Sequence, residues 1–255
     1  MYQGLAAVYD RLMGGALYGR FAAVLDDAVR RTGVRPGRIV DLGCGTGAMF
    51  PHLLARAPFV IGIDPSEEML ALAAARAGGD PRVLLLQASA QEFRIPGQAD
   101  WCAAFCDVFN YLAEPADLAA AFARVKRALR PGGCFLFDVH APRHMRERIG
   151  DDVYCDADEA AASFMRTHWD EERGVLLYEV LLFIRCADGR YERREETHAQ
   201  RAFSPAALRE ELARAGFRDV AVGWDFAFPA GSAEADGSAP EVPDGARRLF
   251  FLARA

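Results

Sequence analysis

The run Val40-Asp41-Leu42-Gly43-Cys44-Gly45-Thr46-Gly47 concentrates the chemistry of this chain. Glycines at alternate positions remove the side chains that would keep a ligand off the backbone, and they permit positive φ in a turn. Asp41, two residues before the first glycine, sets a carboxylate in the same crevice, favourable beside an amino group and unfavourable beside a phosphate. A dinucleotide-binding turn spaces its glycines G-x-G-x-x-G, whereas this one reads G-x-G-x-G. A second acid, Asp64, ends the apolar run Val60-Ile61-Gly62-Ile63. It lies about twenty residues on, where a strand-terminal carboxylate can accept hydrogen bonds from both ribose hydroxyls. Taken singly, the glycines describe a tight strand-to-helix turn and Asp64 a helix cap. Taken together, they describe a pocket for a cationic nucleoside without phosphate.

Such a pocket needs strands that end beside one another. Short apolar runs at 38–42, 59–63, 83–87 and 101–105 predict four strands, and Cys134 to Val139 a fifth. Helical segments alternate with them: Ala48 to Arg56, one opened by Pro65-Ser66-Glu67-Glu68-Met69-Leu70 with acids in its first turn, and Pro115 to Leu129. Leu5 to Arg31 is helical in pieces, broken at Gly14-Gly15. This alternation predicts an α/β fold, a mostly parallel sheet with helices on both faces. Ligands of such sheets sit beyond the carboxyl ends of the strands, where all the chemistry named above lies.

From 151 to 203 the pattern changes. Leu176, Tyr178, Val180, Leu182 and Ile184 share one face of a long strand, Val175 to Cys186. Turn residues flank it, Asp188-Gly189 among them. Arg166 to Asp170 and Tyr191 to Arg201 are its expected partners, giving a three-stranded antiparallel meander. Its apolar face must pack on the main domain or on a second subunit, so a homodimer is one use of it. Ser204-Pro205 then caps a helix that stops at Gly216, Phe217 to Trp224 and Arg248 to Ala253 are the last two strands, and Pro229 to Gly245 is a loop. The division is therefore 1–150 with 204–255 as one domain and 151–203 as an insertion. No internal repeat is visible.

Composition fits a cytoplasmic enzyme with a large core: of 255 residues, 52% are hydrophobic and 26% charged. A net charge of −6 gives no general attraction to nucleic acid or to an anionic membrane. The N-terminal residues lack a signal-peptide pattern, because Asp10 and Arg11 interrupt the apolar run, and no stretch suits a membrane span. Six cysteines are scattered without C-x-x-C pairs, so the expectation is buried thiols and no metal site.

Asp41-Leu42-Gly43-Cys44-Gly45-Thr46-Gly47 with Asp64 resembles the class I S-adenosylmethionine-dependent methyltransferases. Leu129-Arg130-Pro131-Gly132-Gly133 before Cys134-Phe135-Leu136-Phe137-Asp138-Val139 is similar to that family's approach to strand five. Ala7 to Leu12, Cys106 to Leu112 and His198 to Ser204 resemble a subgroup of small-molecule enzymes that carry a β-sheet lid. Sugar N-methyltransferases of antibiotic pathways have a comparable plan. The resemblance implies a Rossmann-like seven-stranded fold, S-adenosylmethionine as cofactor with S-adenosylhomocysteine as product, and a lid at 151–203 that covers the acceptor pocket rather than the cofactor.

It also implies site residues. Asp41, Gly43, Cys44, Gly45, Gly47, Asp64, Pro65 and Met69 would border the cofactor. Ser89 stands where the family often has an acid near the adenine amino group, with the backbone of Ala90 and Gln91 beside it. Cys106 and Asp107 would line the methionine end, and Tyr9 and Tyr18 would close over the sulfonium, which an aromatic face favours. Methyl transfer is an in-line displacement, so alignment in a dry pocket matters more than any single group. If the acceptor must lose a proton early, His140, Asp107 and His198 are the candidates, each also explicable as a structural group; His144 follows His140 one turn on. The expected acceptor is the nitrogen or oxygen of a small molecule. The alternatives are a non-catalytic binder of the same adenosyl ligands and a nicotinamide oxidoreductase, the second opposed by the glycine spacing.

Overall fold

The computed structural model describes residues 16–112, 114–186, 188–229 and 241–255. The first element is the helix α1 (Ala16–Thr32), which buries Tyr18, Phe21, Val24, Leu25 and Ala28 at helical spacing. There follow β1 (Arg38–Leu42), α2 (Phe50–Leu54), β2 (Phe59–Asp64), α3 (Glu67–Ala77), β3 (Val83–Gln87), β4 (Ala99–Ala104), α4 (Pro115–Ala128) and β5 (Leu129–His140). Helix α2 is shorter than the 48–56 span expected. The chain turns first, with Gly47 N donating to Cys44 O and Phe50 N to Gly47 O, each at 2.9 Å. Helix α3 begins as predicted: the Ser66 hydroxyl caps it by accepting from Met69 N.

Seven strands form one sheet in the order β10-β11-β5-β4-β1-β2-β3, where β10 is Arg218–Trp224 and β11 is Arg248–Arg254. Neighbours among β1 to β5 are parallel, while β11 runs antiparallel between β5 and β10. The strand order reverses between β1 and β4, and a crevice opens at such a switch point. Helix α5 (Pro205–Arg214) carries the expected Ser204 cap, Ser204 Oγ accepting from Ala207 N at 3.2 Å. Around β5 an aromatic cluster fixes the sheet to α4: Phe109 meets Phe122 and Phe137 edge-on, with centroids 5.2 and 5.0 Å apart.

The insertion is a second sheet, β6 (Asp152–Ala157), β7 (Ala161–Asp170), β8 (Val175–Arg185) and β9 (Tyr191–Arg201), paired antiparallel in that order. It has four strands, not three. Every residue of β6 is exposed, so that edge strand carries no burial pattern to reveal it. The predicted face of β8 holds, with Leu176, Val180 and Leu182 buried. Val153, Phe164 and Tyr191 stay exposed. Among the described residues no helix is long and apolar enough to cross a membrane.

Candidate active site

The glycine turn follows β1 and rises against the end of β2. Gly43 N and Cys44 N both donate to Ile63 O, at 2.7 and 3.0 Å. Gly43, Gly45 and Gly47 all have positive φ. A Cβ on Gly43 would strike Val108 and one on Gly47 the Phe50 ring, whereas one on Gly45 would meet nothing. Gly45 is the glycine whose backbone stands open to a ligand. Asp64 Oδ2 accepts from Gly45 N and Asp64 Oδ1 from Ser66 N, each at 2.9 Å. One amide on each oxygen leaves each a lone pair. Burial holds the Asp64 carboxyl above its usual range, against the pull of those two amides.

Gly43, Gly45, Asp64 and Ser66 border a cavity of about 550 Å³, within the usual size of a small-molecule site. Its walls include Leu42, Ile63, Met69, Ala90 and Phe105, and its polar rim Asp64, Glu67, Glu68 and Ser89. Among the described residues, none that lines it is lysine or arginine. Apolar walls suit a purine, and the carboxylates of the rim suit hydroxyl and amino groups and disfavour phosphate. Asp41 is buried behind the turn, and among the described residues its Oδ2 has no hydrogen-bond partner. Burial, then Asp64, push its carboxyl up to about 7. Asp41 does not touch the cavity, so its charge acts on a ligand there only through the glycine turn, and that charge favours a cation. The set as a whole fits an adenosyl sulfonium.

Of the residues expected at the cofactor, Gly43, Gly45, Asp64, Pro65, Met69, Ser89, Ala90 and Cys106 line this cavity. Asp41, Cys44, Gly47, Tyr18 and Asp107 do not border it. Cys44 is buried, and its sulfur stands close to Gly62. Tyr18 is buried on α1 in the core that contains Phe21. Tyr9 lies outside the described residues.

Beyond the cavity, the turn after β4 gathers a buried polar network. Cys106 and Asp107 both have left-handed backbone, φ 65° and 54°, which non-glycine residues seldom adopt. Asp138, fully buried on β5, receives their amides: Cys106 N to Oδ1 at 2.9 Å and Asp107 N to Oδ2 at 3.1 Å. Arg248, on β11, bonds Asp138 through Nη1 and Asp107 Oδ1 through Nη2, the latter at 3.0 Å. The lid closes the other side. Gln200 Nε2 donates to Asp107 Oδ2 at 2.6 Å, and Tyr178 Oη donates to Gln200 Oε1 at 2.9 Å. Asn110 Nδ2 donates to Arg201 O at 2.7 Å while its Oδ1 accepts from His140 N at 3.0 Å.

The expected proton acceptors sit in or beside this network. His140 Nε2 lies 3.4 Å from Asp107 Oδ1. Burial lowers the His140 imidazole to about 4, so the ring is neutral at pH 7. Burial alone would raise the Asp107 carboxyl, but His140, Arg248 and Gln200 outweigh it and hold it below the carboxylate range. Asp107 is thus a fixed anion with both oxygens engaged. His198, on β9, is buried beside Glu196, with Nε2 to Oε2 at 3.1 Å, and stands edge-on to Tyr111 at 6.1 Å. Desolvation lowers its imidazole too. Sequence reasoning missed Arg248, Gln200 and Tyr178. The signal was Asp138 inside an otherwise apolar strand, since a buried acid requires a cation nearby.

A family described as "Methyltransferase domain" matches residues 39–133. "Putative methyltransferase YqeM" of Bacillus subtilis (strain 168) is 32% identical over 255 residues, covering 100% of this chain and 97% of that protein. A crystal structure of an S-adenosylmethionine-dependent methyltransferase from Clostridium acetobutylicum ATCC 824 superposes with a TM-score of 0.84 at 20% identity. It covers 99% of this chain and 98% of that one. CalS10, an amino pentose methyltransferase from Micromonospora echinaspora, superposes at 0.73 with 24% identity over 97% of each chain. The full-length match to a curated methyltransferase, with the seven-stranded order, shows the family: this chain belongs to the class I S-adenosylmethionine-dependent methyltransferases.

Proposed function

We propose that the chain methylates a nitrogen or oxygen atom of a small molecule held between the ends of β4 and β5 and the β lid at 151–203. One observation carries this reading: Tyr111, which borders the cofactor cavity, faces His198 of the lid at 6.1 Å. That contact supports a reading in which the inserted sheet roofs the acceptor side of the crevice and admits a small molecule rather than a polymer. CalS10, which shares the fold, acts on an amino pentose, and nitrogen is accordingly the first acceptor to test.

Bound S-adenosylmethionine supplies an activated methyl group, transferred in line with loss of a neutral thioether. The protein's part is placement. Gly45 and Asp64 would hold the nucleoside, and Phe105, Cys106 and Val108 wall the same cavity. Tyr111 and Leu112, which also line the cavity, would help to exclude water from it. His140, neutral at pH 7, can accept a proton only weakly, so the acceptor should arrive as a free amine or an already acidic hydroxyl. Asp107 serves as an anchor and not as a base.

The test is methyl transfer from S-adenosylmethionine to a panel of amino sugars, small carboxylic acids and phenols. Turnover on one of these classes supports the reading. Transfer confined to a protein or RNA fraction would overturn it.

A further inference from the structure

The lid touches the main domain through a hydrogen bond to a left-handed, non-glycine turn beside the cavity. Gln200 and Asp107 are both buried, and the Gln200 amide is held from both ends. Its oxygen accepts from Tyr178 Oη, which fixes the amide so that the nitrogen faces Asp107 Oδ2 at 2.6 Å. Asp107 in turn belongs to a two-residue left-handed turn whose amides rest on Asp138. The neighbours of that turn face the ligand: Phe105, Cys106 and Val108 border the cavity, and Val108 fills the space a Cβ on Gly43 would need. A continuous contact path therefore runs from β9 of the lid through Asp107 and Val108 to the glycine turn.

We propose that Gln200 is a positioning residue that couples docking of the lid to the shape of the cofactor cavity, by holding the Cys106–Asp107 turn in its left-handed conformation. A charge-assisted bond to an ionised, buried carboxylate is among the stronger single contacts a side chain makes, and a strained turn persists only where its surroundings enforce it. Asp138 and Arg248 hold the turn from within the sheet; Gln200 is the lid's share. The lid thereby acts on the adenosyl site as well as on the acceptor. The proposal relies on the reading of the 550 Å³ cavity as the adenosyl site for its second half only.

The test uses the full chain with Gln200→Leu, which keeps the shape and removes the donor, and Gln200→Glu, which keeps the shape and sets a second carboxylate against Asp107. Thr197→Ala, on the opposite face of β9, is the control, and Tyr178→Phe is a milder variant that frees the amide. Two readouts are taken: amide hydrogen exchange at Cys106 and Asp107 without ligand, and calorimetric titration with S-adenosylhomocysteine. Exchange at these two amides should rise about tenfold in Gln200→Leu, the equivalent of one such bond, more in Gln200→Glu and less in Tyr178→Phe. It should not change in β2 or β3. S-adenosylhomocysteine should bind roughly five- to tenfold more weakly to Gln200→Leu. Equal behaviour of the Leu and Glu variants would show a packing role and overturn the proposal, as would unchanged exchange at Cys106 and Asp107. Faster exchange with unchanged affinity would refute the coupling. Failure of the unaltered protein to bind the ligand, with the exchange pattern as expected, would instead count against the site assignment.

Discussion

Asp64 accepts the amide hydrogen of Gly45 at 2.9 Å, so one carboxylate both braces the glycine turn and ends the strand beside it. Loss of that carboxylate removes a ligand contact and loosens the loop that makes the others. Asp64→Ala should weaken S-adenosylmethionine and S-adenosylhomocysteine by roughly 2–3 kcal/mol, the worth of a charge-assisted pair. Calorimetry measures it, with NAD expected not to bind. Unchanged affinity would reduce Asp64 to a brace.

Arg248 lies between two buried carboxylates, so its removal strands both. Arg248→Met should cost about 3–5 kcal/mol in urea unfolding at pH 8, and Arg248→Lys should recover only part, having lost the two-pronged fork. Burial already holds Asp138 up at about 6, against the pull of Arg248. Without the guanidinium it rises further. A raised carboxyl favours the folded state below its unfolded value and loses that advantage as pH climbs through the folded value. Arg248→Met should therefore be nearer to the unaltered protein at pH 5 than at pH 8. A deficit independent of pH would refute the electrostatic account.

Asp41 carries the same sign. Its carboxyl is pushed from 3.8 to about 7, so ionisation in the folded protein opposes folding above neutrality, by up to about 4 kcal/mol before the site relaxes. Asp41→Asn should raise the melting temperature at pH 8 by several degrees and hardly at all below about pH 4, where the unfolded carboxyl is itself protonated. The same change should weaken S-adenosylmethionine and flatten a pH profile of binding that, in the unaltered protein, improves through pH 7. A variant that is more stable and binds equally well would remove Asp41 from the site.

Ser89 Oγ donates to Glu92 Oε2 at 3.1 Å. With its proton placed there, the hydroxyl offers lone pairs to the cavity it borders, so it can serve as an acceptor for an adenine amino group. Ser89→Ala should weaken S-adenosylhomocysteine about fivefold and Ser89→Asp should strengthen it by a similar factor, since an ionised acceptor is the stronger one. S-inosylhomocysteine, which lacks that amino group, should be indifferent to Ser89→Ala. Equal losses for both ligands would point away from the amino group.

The sequence is most legible where structure is local. Val60 to Ile63 and Val83 to Leu86 are continuous apolar runs bounded by turn residues, and both are strands. The glycine turn and Asp64 lie within one strand-turn-helix unit and its neighbour, so their spacing alone places them together. The polar network is different in kind. Asp107 meets Gln200 at a separation of 93 residues and Arg248 at 141, and no periodicity reports contacts of that range. Arg248 opens a strand whose other residues are almost all apolar, which disguises it as an edge residue. β6 escaped for the opposite reason: an exposed edge strand has no buried face to announce itself.

The place of β11 between β5 and β10 sets a timetable for synthesis. β5 presents a full edge, with Phe135, Phe137 and Val139 beside it, and the strand that covers this edge is not translated until residues 248–254. Arg248 follows Asp138 by 110 positions. At roughly 5–20 residues per second, the half-built sheet spends on the order of ten seconds with that edge open and an acid lacking its cation. In that interval the lid, made of local hairpins, can already have formed. A ribosome-bound chain arrested between residues 203 and 248 should thus be the species that chaperones hold longest.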